Sequence, residues 1–201
     1  LTKGELTITF VNRRIEPYRG CHTFIRAIPE IQRNYPQARI VVVGATEGVS
    51  YGKAAPGNSW RDVFIQEIEG SYKPERVHFT GSIAYSTFLH LLKLSACHVY
   101  LTYPFVLSWS LLEAMSTGLP IVGSATAPVQ EVIRDGETGL LVDFFSKTAV
   151  AEAVCTLLAD RKLAIDFGQQ ARQLVLERFS LEKCVPRQLA LIELVASGAL
   201  C

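Results

Sequence analysis

The sequence has almost no charge excess and no paired cysteines, and each absence excludes a class of protein. Its 20 Lys and Arg nearly cancel its 19 Asp and Glu, so we expect no general electrostatic attraction to nucleic acid or to anionic lipid. The five cysteines are widely spaced and include no CxxC pair, which argues against a disulfide framework and against a zinc site. A reducing, cytoplasmic environment fits this cysteine usage.

The sequence also has no stretch of about 18 apolar residues and no basic leader followed by an apolar segment. It therefore predicts neither a transmembrane helix nor a signal peptide. The first residue is Leu1 rather than Met, which favours a piece of a longer protein. We expect the full-length protein to be cytoplasmic, and a peripheral attachment to a membrane stays open, as does the oligomeric state.

Two common phosphate-binding motifs are missing as well. Gly44, Gly48 and Gly52 are separated by three residues each and do not follow G-x-G-x-x-G, and no GxxxxGK[ST] segment occurs. These absences argue against a nicotinamide-binding function and against ATP hydrolysis.

What the sequence does contain is a regular alternation of strand patterns and helix patterns. Hydrophobic residues make up 49% of the 201 residues, which is enough for one full core. Continuous apolar runs such as VVVG are typical of strands covered on both faces, so the sheet is expected to be parallel. The sequence predicts a single α/β domain with a Rossmann-like, doubly wound parallel sheet of about six strands over 1–145 and C-terminal helices over 146–201. Predicted strands cover 6–12, 38–44, 77–81, 98–103, 121–124 and 140–143.

The stretch 103–120, YPFVLSWSLLEAMSTGLP, carries the strongest functional pattern. It predicts a strand end, a short loop, a helix that begins at Ser110 with Glu113 in its first turn, and a stop at Gly118. A helix N-terminus that follows a strand end has free N–H groups and the positive end of the helix dipole. Such a place can hold a phosphate.

The loop that follows the first predicted strand adds positive charge near the same place. It contains Arg13, Arg14 and Arg19. A guanidinium group can bind two phosphate oxygens at once in bidentate fashion. Ligands of open α/β sheets bind outside the carboxyl ends of the strands, so this placement predicts an anionic, phosphate-bearing ligand. The segment 45–59, rich in Gly, Ala and Ser, is predicted to be a long mobile loop at the same edge.

Five motifs in a fixed order give the chain a family resemblance. RRIEPYRG, VVVG, VHFTGSI, SWSLLEAMSTGLPIVGS and APVQEVIRDGETGLLV follow one another. In this order they resemble the C-terminal, nucleotide-sugar-binding domain of the retaining GT-B glycosyltransferases, specifically glycosyltransferase family 4, also called glycosyl transferases group 1. The resemblance implies one half of a GT-B fold, a nucleoside-diphosphate sugar such as a UDP-sugar as donor substrate, and no cofactor or metal. It also implies that an N-terminal acceptor domain is absent from this chain and would be its partner.

The resemblance further implies roles for individual residues. Arg14 and Arg19 would contact the donor diphosphate, and Glu113 would bind the ribose hydroxyls; these are the three expected catalytic residues. The remaining donor contacts would be Ser82 and Ile83 at the base, and Phe105, Val106, Leu107 and Ser108 at the sugar or phosphate, the last three through backbone N–H groups. The family usually has Glu where this chain has Phe105, a position thought to hold the sugar hydroxyls, and Gly where it has Ser108.

Simpler interpretations of the same residues stay open at this point. Ser110 and Glu113 form an S-x-x-E pattern, in which the carboxylate only caps its own helix. The arginines can be ordinary solvated loop charges, and Tyr103 and Trp109 are either a sugar platform or, as we expect, core residues.

The function has alternatives too. A non-catalytic nucleotide-binding or scaffold domain that has lost sugar handling is favoured by Phe105. An isomerase or epimerase on the same fold agrees less well with the LEAM and GLLV motifs. The leading hypothesis is the donor-binding half of a glycosyltransferase, a fragment that binds nucleotide sugar but transfers little without its partner domain.

Overall fold

The protein, described in a computed structural model over residues 5–103 and 107–198, is built on one sheet of six parallel strands. The strands are β1 (Thr7–Arg14), β2 (Arg39–Ala45), β3 (Val77–Phe79), β4 (Cys97–Tyr100), β5 (Ile121–Ser124) and β6 (Leu140–Val142). The helices are α1 (Cys21–Asn34), α2 (Trp60–Glu67), α3 (Tyr85–Leu94), α4 (Trp109–Ser116), α5 (Ala127–Gln130), α6 (Lys147–Ala159), α7 (Arg161–Phe179) and α8 (Leu181–Ala196).

The spatial order of the strands is β3-β2-β1-β4-β5-β6, with every neighbouring pair parallel. This is the doubly wound arrangement, in which the chain runs outward in one direction after β1 and in the other direction after β4. The predicted Rossmann-like fold is confirmed. The largest differences from the predicted strand ends are three: β1 continues through an irregular pairing to Arg14, β3 stops at Phe79 and β4 stops at Tyr100.

Two large apolar clusters, one on each face of the sheet, form most of the core, and Val41, Val43 and Leu91 form a third, small cluster. On one face α1, α2 and α6 cover residues such as Phe10, whose ring stacks on Phe24 with 4.7 Å between centroids. On the other face α3, α4 and α7 cover residues such as Ile121. Burial on both faces explains the unbroken apolar runs of the central strands.

The close approach of α7 to the end of α4 fixes part of the C-terminal region against the sheet domain. A Cβ atom on Gly168 would lie 2.0 Å from the carbonyl oxygen of Gly118, so the two backbones are in contact. The helix α8 differs, since none of its residues is buried and Leu181 is 78% exposed. Within the described ranges no helix combines the length and the apolar character that a membrane span requires.

Candidate functional site

The site predicted from the sequence lies at the carboxyl edge of the sheet, where the strand order reverses. The chain leaves β1 toward α1 on one face and leaves β4 toward α4 on the other face. The two loops therefore border a crevice between β1 and β4, which is the usual ligand position in doubly wound sheets. A separate cavity of about 320 Å³ opens at the opposite, amino edge, beside Leu119 and Arg161, and lies away from these loops.

The two loops hold each other at the crevice. Gly20 adopts a φ of 71° as the N-cap residue of α1, and a Cβ atom there would lie 2.3 Å from the Cβ of Leu101 just after β4. The N–H of Tyr103 donates to the carbonyl oxygen of Tyr18 over 3.0 Å, and the two rings meet edge to face with centroids 6.3 Å apart. The glycine allows this contact, since a larger residue would need both the space and the left-handed backbone.

The structure brings both predicted arginines to this crevice. Arg14 is the last residue of β1, and its guanidinium donates to the carbonyl oxygen of Glu47 in the loop 46–58. Arg19 ends a short 3₁₀ turn, and its guanidinium carbon lies 5.3 Å from the ring centroid of Tyr51 in the same loop. Both side chains are half-buried rather than fully solvated. Arg13, in contrast, is exposed.

The loop 46–58 is fastened to the crevice by a residue that the sequence analysis did not single out. Glu16 is 1% exposed, and its Oε2 accepts the backbone N–H groups of Ser50 at 2.7 Å and of Tyr51 at 3.0 Å. Further along the loop, Trp60 Nε1 donates to the carbonyl oxygen of Lys53 over 3.1 Å. The segment predicted as mobile is thus attached to the domain at several points.

The start of α4 differs from the prediction. The helix begins at Trp109 with Ser108 as its N-cap residue, not at Ser110, and Glu113 lies beyond its first turn. The S-x-x-E pattern does not form a capping box, since the Glu113 carboxylate accepts a hydrogen bond from the Tyr85 hydroxyl at 2.8 Å. Capping was therefore the wrong interpretation. Glu113 is half-buried as a residue, but its hydrogen bond with Tyr85 on α3 lies at the surface, and this hydrogen bond raises the pKa of the Tyr85 hydroxyl.

The expected backbone contacts of the loop before α4 are described in part. The N–H of Ser108 donates over 2.9 Å to the hydroxyl of Tyr100, whose burial raises its pKa. This N–H reaches a phosphate only if it leaves that hydroxyl. Leu107 is half-buried against the α3–α4–α7 cluster, and Phe105 and Val106 lie outside the described residues.

The residues expected at the base lie on the loop between β3 and α3. Ser82 is exposed, while Ile83 is half-buried against the core. The preceding carbonyl oxygen, that of Gly81, accepts the N–H of Gly44 over 3.0 Å, which joins this loop to the end of β2. The structure therefore places both residues at the carboxyl edge, on the α3 side of the crevice.

The aromatic residues around the crevice were expected in the core and are on the surface instead. Tyr103 is 44% exposed and Trp109 is 84% exposed. Tyr103 contacts Phe145 with centroids 5.9 Å apart, and Phe145 is itself exposed. The core interpretation was wrong for these two residues: Tyr103 lies beyond the end of β4 at Tyr100, and Trp109 is the exposed first residue of α4. Over 5–103 and 107–198 no group of three His, Cys, Asp or Glu has the arrangement of a metal site.

Comparison with known proteins places this architecture in a family. Residues 1–174 match the family model described as glycosyl transferases group 1. A GDP-mannose-dependent alpha-(1-6)-phosphatidylinositol monomannoside mannosyltransferase of Mycolicibacterium smegmatis is 26% identical over 179 residues, 88% of this chain and 45% of that protein. The chain spans less than half the length of curated relatives that it matches.

Solved structures agree on the fold. Sucrose-phosphate synthase of Thermosynechococcus elongatus superposes with a TM-score of 0.81 at 24% identity, over 98% of this chain and 47% of that one. HepE of Anabaena, solved with UDP-glucose, gives a TM-score of 0.79 at 20% identity, over 96% of this chain and 49% of that one. These neighbours confirm the GT-B type of sheet that the motifs resembled. With a family model that covers 174 residues and the motifs in their expected order, the chain belongs to the glycosyl transferases group 1 family.

Proposed function

We propose that the chain is the donor-binding domain of a glycosyltransferase that takes a sugar from a nucleoside-diphosphate sugar and transfers it with retention of configuration. The observation that carries the proposal is the crevice between β1 and β4. It has Arg14 and Arg19 on the β1 side and the carboxylate of Glu113, on α4, on the β4 side. Family membership supports the reaction class.

In this proposal the arginines bind the negatively charged diphosphate of the donor, and Glu113 binds its ribose hydroxyls. The guanidinium of Arg14 uses one N–H on the Glu47 carbonyl and keeps its others for phosphate oxygens, and Arg19 adds a second positive charge. Both charges stabilise the diphosphate as it leaves, together with the positive end of α4. The Glu113 carboxylate has a second oxygen and further lone pairs, with which it can accept hydrogen bonds from ribose hydroxyls.

The transfer step in this proposal needs no protein nucleophile. In the retaining family that the motifs resemble, an oxygen of the departing phosphate takes the proton of the acceptor on the same face of the sugar. The domain contributes donor position and charge stabilisation, which are large terms for this kind of reaction. The acceptor would be held by an N-terminal domain outside this chain. Measurable acceptor glycosylation by these 201 residues alone would contradict that division of labour.

The identity of the nucleotide is part of the proposal. We favour a UDP-sugar, since HepE is solved with UDP-glucose, but the Mycolicibacterium relative is named as GDP-mannose-dependent. Titration of the chain with UDP and with GDP separates the two.

A second candidate, a scaffold domain without sugar handling, is favoured by Phe105 in place of a carboxylate. It predicts nucleotide binding by the full-length protein without hydrolysis or transfer from any donor.

Glu113→Gln is expected to weaken binding of the nucleoside diphosphate about 10- to 100-fold, because hydrogen bonds to a charged group contribute roughly 1.5–3 kcal/mol. Isothermal titration calorimetry on the purified chain measures this change. Glu152→Gln is the matched control, since this carboxylate is exposed on α6, which covers the α1 face of the sheet. Tyr85→Phe removes only the donor to Glu113 and is expected to cost less than the charge itself. Equal affinities of wild type and Glu113→Gln would refute the ribose assignment.

A further inference from the structure

We propose that Glu16 is a positioning residue of the donor site: its buried carboxylate fastens the loop 46–58 across the crevice and so holds Arg14 and Arg19 for the diphosphate. This inference rests on the function proposed above. Glu16 itself does not touch the donor. It acts through the backbone of the loop.

The burial of Glu16 needs a compensating arrangement. A carboxylate that is 1% exposed has lost nearly all contact with water, which is costly unless hydrogen bonds replace it. Of the ion pairs formed within the described residues, none includes Glu16. The two N–H groups of Ser50 and Tyr51 supply charge-assisted hydrogen bonds to one oxygen at 2.7 and 3.0 Å. The carboxylate therefore depends on the loop, and the loop is attached by the carboxylate.

The contacts between residues 14–19 and the loop 46–58 occur in the same order along both segments. Arg14 contacts the carbonyl of Glu47, Glu16 contacts the N–H groups of 50 and 51, and Arg19 lies over the ring of Tyr51. Glu16 lies between the two arginines in sequence, and its contacts lie at the end of the loop segment that both arginines use. An anchor in this position controls both arginine contacts together.

Two glycines let the loop lie directly on the crevice. Gly48 has a φ of 67°, and a Cβ atom there would lie 3.1 Å from a terminal guanidinium nitrogen of Arg14. Gly52 has a φ of 79°, and a Cβ atom there would lie 2.6 Å from the ring of Tyr18. A side chain at either position would strain the left-handed backbone and displace the Arg14 guanidinium or the Tyr18 ring, so the loop backbone lies in direct contact with both.

Loss of the Glu16 carboxylate is expected to lower the affinity for the diphosphate. Without Glu16 the loop no longer fixes the Glu47 carbonyl and the Tyr51 ring in place, and the contacts that these groups make with Arg14 and Arg19 loosen. Ordering long side chains again costs conformational entropy, and the donor would then have to supply this free energy. The base and the ribose bind on the α3 and α4 side of the crevice in this proposal and are unaffected.

The test compares ligands with and without phosphates on three variants of the chain. Glu16→Ala is expected to weaken the nucleoside diphosphate about tenfold or more, measured by calorimetry, and to leave the affinity for the matching nucleoside within about twofold, measured by NMR titration at millimolar concentration. Glu16→Gln keeps an acceptor oxygen without the charge and is expected to weaken the diphosphate about threefold. Glu152→Ala is the matched control, because it removes an exposed carboxylate on α6, outside the loop 46–58 and the residues that contact it.

Each outcome decides the inference. An unchanged diphosphate affinity in Glu16→Ala overturns it, and so does an equal loss for diphosphate and nucleoside, which indicates a merely structural role. If Glu16→Ala does not fold by circular dichroism, the same comparison on Glu16→Gln decides. The proposed function fails separately, when the wild-type chain binds neither UDP nor GDP or when Arg14→Ala binds as well as wild type.

Discussion

Gly20→Ala is expected to lower the free energy of unfolding by about 3 kcal/mol. Two costs add at this position. The backbone φ of 71° is left-handed, which costs an alanine about 1 kcal/mol relative to glycine. The new Cβ would also lie 2.3 Å from the Cβ of Leu101, and such overpacking against a buried side chain costs about 1–3 kcal/mol. Urea unfolding with linear extrapolation measures the sum.

Gly136→Ala separates the two costs. Gly136 has the same φ of 71°, and nothing lies within 4 Å of the position its Cβ would take. It therefore carries the backbone cost without the clash, and a loss of about 1 kcal/mol is expected. Equal losses in the two variants would mean that the β1–α1 turn can move away from β4 without cost. The predicted difference would mean that the crevice is held by direct contact between the two loops.

The sequence predicts the sheet and the position of the site for a physical reason. Unbroken apolar runs arise from burial on both faces, and alternation with helices leaves few topologies other than a doubly wound sheet. Loops after such strands meet at one edge, which brings Arg14 and Arg19 to the start of α4. None of these steps needs a side-chain contact.

Contacts between distant segments could not be predicted in the same way. Glu16 looks like an ordinary charge in a polar turn, and only its hydrogen bonds to a loop 34 and 35 residues away explain its burial. The start of α4 is a second case. Ser108 and Ser110 are both acceptable N-cap residues, and the structure uses Ser108. Only the structure shows that the Tyr85 hydroxyl on α3 donates a hydrogen bond to the Glu113 carboxylate. Local patterns therefore locate the site, while tertiary contacts decide how each side chain is used.

Acid is expected to destabilise the fold through one buried histidine, with a loss of about 2 kcal/mol by pH 5 and about 3 kcal/mol in full. His98 in β4 is fully buried; Thr9 Oγ1 lies 3.0 Å from its Nδ1, and its Nε2 has no hydrogen-bond partner among the described residues. Burial lowers the pKa of His98 from 6.5 to about 4. The unfolded chain therefore binds a proton first. Stability from the neutral imidazole is present above about pH 6.5 and is lost as the pH falls toward 4.

His98→Gln tests this prediction, because the amide stays neutral at every pH and can still pair with Thr9. Urea unfolding at pH 7.5 and pH 5.0 gives the change in the free energy of unfolding for each protein, so the absolute stability of the variant does not matter. The variant is expected to lose about 2 kcal/mol less than wild type over this interval. His90→Gln, at an exposed position on α3, is the matched control and is expected to follow wild type. If His98→Gln loses as much as wild type, other groups carry the acid sensitivity. Burial also lowers the pKa of His22 and His78, which would then be the first to examine.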